Sequence, residues 1–256
     1  KKNKANYSLD AKKGIFGPIS ALIGAEIGEK KISTANYGNI VLLAFAGHDT
    51  TGHTLTWLLY ELSKNISLQN KLRNEVDIFW KNHPENMEYN DLKELPFMTK
   101  CIHETLRLWP AVANGTFREL EKDTYIHGHG DKKVLLPKGS YTQIFNWSRH
   151  RNKSLWGEDA DRFNPDREWL DGEIWGDSVF AAYNPSSPRF SPFSFAPRDC
   201  LGKNFSQMEM RLILLYLLKD FCCSGGQKSL PVLYFRQIAP PRNPCGNGRT
   251  RFFSSK

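Results

Sequence analysis

Apolar positions recur at helical spacing in four segments, and at strand spacing or with no period elsewhere. From Ser33 or Thr34, each a plausible cap, an apolar-rich run continues to about Leu62 and predicts one long helix over 33–62. Between Ile40 and Ala46 the run is apolar on nearly every face, so the middle of that helix is expected to be buried. A second, amphipathic helix is predicted over Ser67–Trp80, and Asp91–Leu95 reads as a short third. Pro96 opens a helix over 97–108, which ends before Pro110. From Ala111 to Gln143 the texture changes to short strands and turns: Thr124–Ile126, Val134–Leu136, the turn Pro137-Lys138-Gly139, then Tyr141–Phe145. Residues 149–191 carry little periodicity and are rich in Asp, Asn, Pro and Trp; an ordered irregular stretch of this length tends to be functional. The helix 203–220 closes the pattern, and Val232–Phe235 is a strand candidate in a Gly- and Pro-rich tail. The fold class is therefore mainly α with small β-sheets, an α+β chain. Residues Lys1–Lys31 read as helix fragments and loop, and with no repeat or clear linker 1–256 reads as one domain.

Composition narrows the function classes. A chain of 256 residues with ordinary apolar content can bury a real core. Five cysteines (Cys101, Cys200, Cys222, Cys223, Cys245) lack a paired framework, which points to a reducing compartment rather than a disulfide scaffold. No CxxC pair suggests structural zinc, and His127-Gly128-His129 reads as a polar turn. The longest apolar runs are too short to cross a bilayer, and the basic start Lys1-Lys2-Asn3-Lys4 has no apolar segment behind it to make a secretory signal. The net charge of +8 is uneven, with six Lys or Arg and no acid after Asp220. That balance fits a solvated tail, and nothing interleaves basic and aromatic residues as a nucleic-acid module would.

Three places depart from simple patterning. Within the first helix, Ala46-Gly47-His48-Asp49-Thr50-Thr51-Gly52-His53-Thr54 sets two glycines and three threonines in a helix interior, which disfavours helix. Either packing kinks the helix there or a functional site breaks local consistency. Glu104 and Arg107, three apart among apolar neighbours, share a helix face and can pair; if partly buried, the pair needs a further partner. Finally, Phe193-Ser194-Phe195-Ala196-Pro197-Arg198-Asp199-Cys200-Leu201-Gly202 sets a cysteine at the end of a proline-bent loop, at the start of an apolar helix. Unpaired backbone N–H groups, the helix dipole and Arg198 all favour the metal-binding thiolate. The loop alone leaves an activated ligand and an inert buried thiol both open.

Taken together, these elements resemble one family, the cytochromes P450. Phe193, Arg198, Cys200 and Gly202 match its haem loop, Phe-x-x-Gly-x-Arg-x-Cys-x-Gly. Glu104-Thr105-Leu106-Arg107 matches its Glu-x-x-Arg, Phe163-Asn164-Pro165-Asp166-Arg167 is similar to Phe-x-Pro-Glu-Arg, and Ala46–Thr51 is similar to the Ala-Gly-x-Asp-Thr-Thr of its oxygen-activating helix. The resemblance covers nearly the whole chain but only the C-terminal half of the family's fold, its I helix through its L helix, so 1–256 is expected to be a partial P450 domain, a fragment of a longer protein. The expected parts are 33–62 as the oxygen-activating helix, 97–108 as the Glu-x-x-Arg helix, 149–191 as a meander-like region, 193–202 as the haem loop and 203–220 as the proximal helix. Two departures stand out: Ala196 takes the place of the family's glycine, and the tail after Cys222 matches its closing strands poorly.

The resemblance implies haem b (iron protoporphyrin IX), with the Cys200 thiolate as the axial iron ligand that favours O–O cleavage. Arg198 would pair with a propionate, and Phe193 would cover the thiolate side and limit water. Asp49 and Thr50 would be catalytic, Thr50 holding water or dioxygen and Asp49 relaying protons, unless the Thr50 hydroxyl merely bonds back to its own helix. Glu104, Arg107 and Arg167 would form a buried structural charge network. The implied activity is haem-thiolate monooxygenation of a small lipophilic substrate with O2, electrons coming from a separate flavoprotein or iron–sulfur reductase. The stretch Trp156–Asp161 and the insert near Gly128–Lys138 look like members that hydroxylate fatty acids or alkanes. Alternatives are a haem-thiolate isomerase or dehydratase acting on peroxides, against which the Asp49-Thr50 pair counts, and a fragment that is inactive in isolation. The expected location is the endoplasmic reticulum membrane, cytosolic face, through an anchor in the half of the family fold that this chain does not match.

Overall fold

The computed structural model describes residues 34–174 except 85, 129 and 131, residues 187–224 except 196, and residues 232–235. Helix α1 covers Thr34–Lys64, α2 Ile66–Asn82, a 3-10 turn Tyr89–Glu94, and α3 Pro96–Leu108. Strands β1 (Thr116–Glu119), β2 (Thr124–His127), β3 (Lys133–Leu136) and β4 (Tyr141–Ile144) follow. The short helices α4 (Asn146–His150) and α5 (Lys153–Trp156) precede the long α6 (Lys203–Asp220), and β5 (Phe221–Ser224) and β6 (Val232–Phe235) come last. The sheets are three antiparallel pairs, β1 with β4, β2 with β3 and β5 with β6. The fold is mainly α with small sheets, as the patterning predicts. None of the described helices is long and apolar enough to cross a membrane.

The chain divides into two compact units, residues 1–50 and 51–256, with the boundary inside α1. In the second unit, Leu58 and Leu62 of α1, Leu72, Val76 and Phe79 of α2, Met98, Cys101 and Ile102 of α3, and Met210, Leu214, Leu215 and Leu218 of α6 form one apolar cluster. Burying side chains of this size stabilises by about 1.5–3 kcal/mol each, which holds the four helices together.

Local chemistry sets the helix ends. Asn65 caps α2, its Oδ1 accepting the Leu68 N–H at 3.2 Å. At the start of α3, Pro96 occupies the first turn, and the Glu75 carboxylate accepts the Phe97 and Met98 N–H groups at 2.7 Å each. Burial pushes the Glu75 carboxyl above its usual range in spite of those two bonds. The buried Gln69 side chain donates to the Leu62 and Cys223 carbonyls at 3.2 and 2.8 Å and accepts the Cys223 N–H at 3.0 Å, tying α1, α2 and β5 together.

Three expectations need correction. The middle of α1 is not buried: Val41, Leu42 and Phe45 are exposed, and the buried residues of the helix begin at Thr51. Overall apolarity misled there, because nothing among the described residues covers that stretch. Glycines and threonines notwithstanding, α1 runs unbroken through Gly47 and Gly52, a helix of this length tolerating a few poor formers. The described part of the region 149–191 is also less irregular than expected, since α5 and the end of α4 lie in it and Ser187 bridges Phe190. The expected helix fragments of Lys1–Lys31 and the Ala196 departure lie outside the described residues.

Candidate functional site

An extensive buried polar assembly among the described residues centres on Glu104 of α3. Its carboxylate accepts Arg107 Nε and Nη2, both at 2.8 Å, and Arg167 Nε at 2.8 Å. It also accepts the Asn164 N–H at 2.9 Å. Arg107 spends its remaining donors on the carbonyls of His150 (2.7 Å), Ala160 (2.6 Å) and Arg162 (3.1 Å). Arg167 reaches the Asp159 carboxylate at 3.4 Å, and hydrogen bonds from Asn164 and then the Arg167 charge hold that carboxyl below its usual range. Glu104 and Arg107 have no solvent exposure and Arg167 very little, so one carboxylate serves two buried guanidiniums. The indole of buried Trp156 lies under Arg107, Arg167 and Arg189 at 5.1, 5.6 and 4.3 Å. Sequence spacing put Glu104 and Arg107 on one face, and the structure brings Arg167 to the same carboxylate. The backbone carbonyls that complete the shell leave no trace in side-chain pattern.

The cysteine loop leads into α6. The Cys200 N–H donates to the Phe193 carbonyl at 2.9 Å and the Arg198 N–H to Phe195 at 3.1 Å, folding the stretch into successive turns. Ser194 takes φ 68°, a left-handed conformation that a side chain adopts only under constraint. Gly202 caps α6, and Asp199 pairs with Lys203, whose hydrogen bond holds the Asp199 carboxyl below its usual range. Phe193 is partly buried and packs on the core. Cys200, Arg198, Leu201 and Phe205 are exposed. The thiol is therefore not the inert buried group that the loop alone left open. By contrast Cys101 is fully buried, where desolvation raises its pKa well above the usual thiol value. An accessible thiol, a cation for carboxylates and two apolar side chains on one short stretch are a donor set that fits an iron porphyrin.

Asp49 and Thr50 sit on α1 in the unit of residues 1–50. The Thr50 hydroxyl donates to the Ala46 carbonyl at 2.7 Å, the bond back to its own helix that the sequence left open. Glu173 and Arg189, which carry no signal in the sequence pattern, form a further, largely buried pair. The Glu173 carboxylate, fully buried, accepts Arg189 Nε and Nη2 at 2.8 Å each, the Ser187 hydroxyl at 2.5 Å and the Leu170 N–H at 2.9 Å. Burial raises its pKa, and these hydrogen bonds outweigh burial and leave the carboxyl below its usual range. A buried Glu-to-Arg contact between residues 16 apart has no local signature.

A mainly α chain with an exposed thiol at the head of α6 and buried carboxylate–guanidinium clusters elsewhere is compatible with more than one class of protein. Comparison with known proteins narrows the class. A family model described as Cytochrome P450 matches residues 17–241, and the chain belongs to that family. It is 35% identical over 185 residues to rat Cytochrome P450 4F6, covering 70% of this chain and 30% of that protein. It is also 35% identical over 199 residues to Secologanin synthase 1 of Catharanthus roseus (76% and 35%), and 37% identical over 178 residues to rat Cytochrome P450 4F3 (69% and 31%). The chain thus spans about a third of the length of the curated relatives it matches.

Proposed function

We propose that this chain belongs to a haem-thiolate monooxygenase that acts on a small lipophilic substrate, with Cys200 as the axial thiolate ligand of haem b. The observation that carries the reading is the exposed Cys200 thiol at the head of α6 in a chain of the cytochrome P450 family. In this reading Arg198 pairs with a propionate and Phe193, partly buried at the start of the loop, keeps water from the thiolate. When bound, the haem iron supplies reductive activation of dioxygen, one oxygen atom entering the substrate and the other leaving as water. The Thr50 hydroxyl turns from Ala46 to hold a water, and Asp49 passes protons to it. A separate reductase supplies the two electrons.

The test is the carbon-monoxide difference spectrum of the reduced full-length protein. A thiolate-type Soret band, lost in Cys200→Ser, supports the reading; no haem uptake by the full-length protein ends it. Thr50→Ala then separates reaction types: in a monooxygenase it consumes electrons without matching product, whereas unchanged coupling favours rearrangement of a peroxide.

A further inference from the structure

Arg149 of α4 is a partly buried cation, and among the described residues none of its contacts is with an acid. Its Nη2 donates to Asn146 Oδ1 at 2.8 Å, to Ser191 Oγ at 2.5 Å and to His150 Nε2 at 3.4 Å. Its Nη1 donates to the Pro188 carbonyl at 3.3 Å, and its guanidinium carbon lies 5.7 Å from the centre of the Phe195 ring. Burial lowers its affinity for the proton, so keeping a guanidinium here is costly unless those partners repay it. Ser191, Phe195 and Pro188 belong to the strand of chain that runs into Cys200, and the Arg149 carbonyl in turn accepts the Trp156 indole N–H at 3.2 Å. One side chain thus fixes three points of the approach to the cysteine from a helix that does not include it. Planar, multi-donor geometry suits Arg to this role and a single ammonium much less.

We infer that Arg149 is a positioning residue that sets the conformation of the cysteine loop, and so the placing of the Cys200 thiol; as a statement about haem ligation this rests on the haem-thiolate reading above. The constraint it holds is visible at Ser194, kept at positive φ, and at the Cys200 N–H, which donates to Phe193. Loosening Arg149 releases both.

The first measurement needs no haem: amide hydrogen exchange of the peptide covering residues 193–203 in the full chain, for wild type, Arg149→Met, Arg149→Lys and Ser191→Ala. Exchange at Cys200 is expected to quicken by roughly tenfold or more in Arg149→Met, the scale of losing one charged hydrogen bond. Arg149→Lys and Ser191→Ala should fall between that variant and wild type, with exchange in α2 and α3 unchanged. If Arg149→Met does not fold, Ser191→Ala carries the same test. Unchanged exchange at 193–203 in the folded variants overturns the inference. The second measurement is the reduced carbon-monoxide spectrum of haem-loaded full-length protein, where Arg149→Met should raise the share of species lacking thiolate ligation and Arg149→Lys should recover part of it. A variant spectrum identical to wild type overturns the inference while the haem-thiolate reading stands. Wild type that takes up no haem ends that reading, and the exchange result then decides whether Arg149 positions the loop.

Discussion

Glu104 pairs with two guanidiniums through one carboxylate; Glu104 and Arg107 are withdrawn from water and Arg167 is nearly so. The arrangement is weak evidence of net stability, because desolvation offsets much of the attraction, but it is sensitive to losing a member. Glu104→Gln keeps the shape and removes the charge, leaving Arg107 and Arg167 buried against a neutral amide. It is expected to cost about 3–5 kcal/mol, read as a lowered urea midpoint at constant slope. Buried histidines give the fold a pH dependence of their own. Burial lowers His103 to about 3, against the opposing pull of the Thr99 carbonyl, and lowers His150 to about 3, with the Arg149 and Arg107 charges adding to burial. Unfolded histidine titrates near 6.5, so between those values the unfolded chain binds protons that the folded chain refuses. Stability is therefore lost as pH falls through about 6.5, the loss steepening from about half of 1.4 kcal/mol per unit for each histidine toward the full figure by about pH 5.5. Urea midpoints between pH 6.5 and 5, above the range of most carboxylates, should fall with that slope, and His150→Gln should roughly halve it. A flat profile would sink the account.

At the scale of elements, one polar side chain does the joining that apolar packing cannot specify. Gln69 meets both the carbonyl and the N–H of Cys223, so β5 is docked on α2 through its backbone. Gln69→Ala takes the side-chain partner from both Cys223 groups in a buried setting, while the Leu62 carbonyl keeps the Asn65 N–H at 3.3 Å; the expected cost is about 1–3 kcal/mol per Cys223 bond left unmade. The Cys223 amide should lose exchange protection first, and retained protection would mean that β5 is held by pairing with β6 alone. Which elements could be read in advance follows from where their information lies. The predicted Ser67–Trp80 and 97–108 helices match α2 and α3 to within two residues, because period, cap and proline all sit in the segment itself. β1 escaped notice, since Thr116–Glu119 is four exposed or half-exposed residues whose pairing partner is β4, across more than twenty positions. α4 and α5 escaped for a related reason: the Arg107 guanidinium bonded to the His150 carbonyl and the Trp156 indole bonded to Arg149 organise them from outside. The same division runs through the candidate site. Cys200 and Glu104-x-x-Arg107 were legible as local spacing, whereas Arg149, Glu173 and Arg189 act through partners that only the folded chain supplies.

Taken whole, the molecule places its buried apolar cluster in the unit of residues 51–256, and the long α1 straddles the boundary with the other unit. Buried positions on α1 are Thr51, Thr54, Leu58, Glu61 and Leu62, all in its second half, while Tyr37, Val41, Leu42 and Phe45 are exposed. Helical hydrogen bonding alone is marginal in water, and most helix stability in proteins comes from packing of one face. A single continuous helix should therefore show two levels of protection. Hydrogen exchange along α1 is expected to be at least about tenfold slower over residues 54–62 than over residues 38–46, with the change falling near Thr51. Glycine at 47 contributes to the contrast, since it weakens helix by about 1 kcal/mol relative to alanine. Gly47→Ala should slow exchange in the first half and leave the second half as it was. Uniform protection along α1 would mean that residues 34–50 draw stability from packing that exposed Val41, Leu42 and Phe45 do not reveal. A graded helix has a functional corollary under the monooxygenase reading. Asp49 and Thr50 lie just before the first buried position, Thr51, so on that reading the hydroxyl now bonded to Ala46 is expected to be released more cheaply than one in the packed second half.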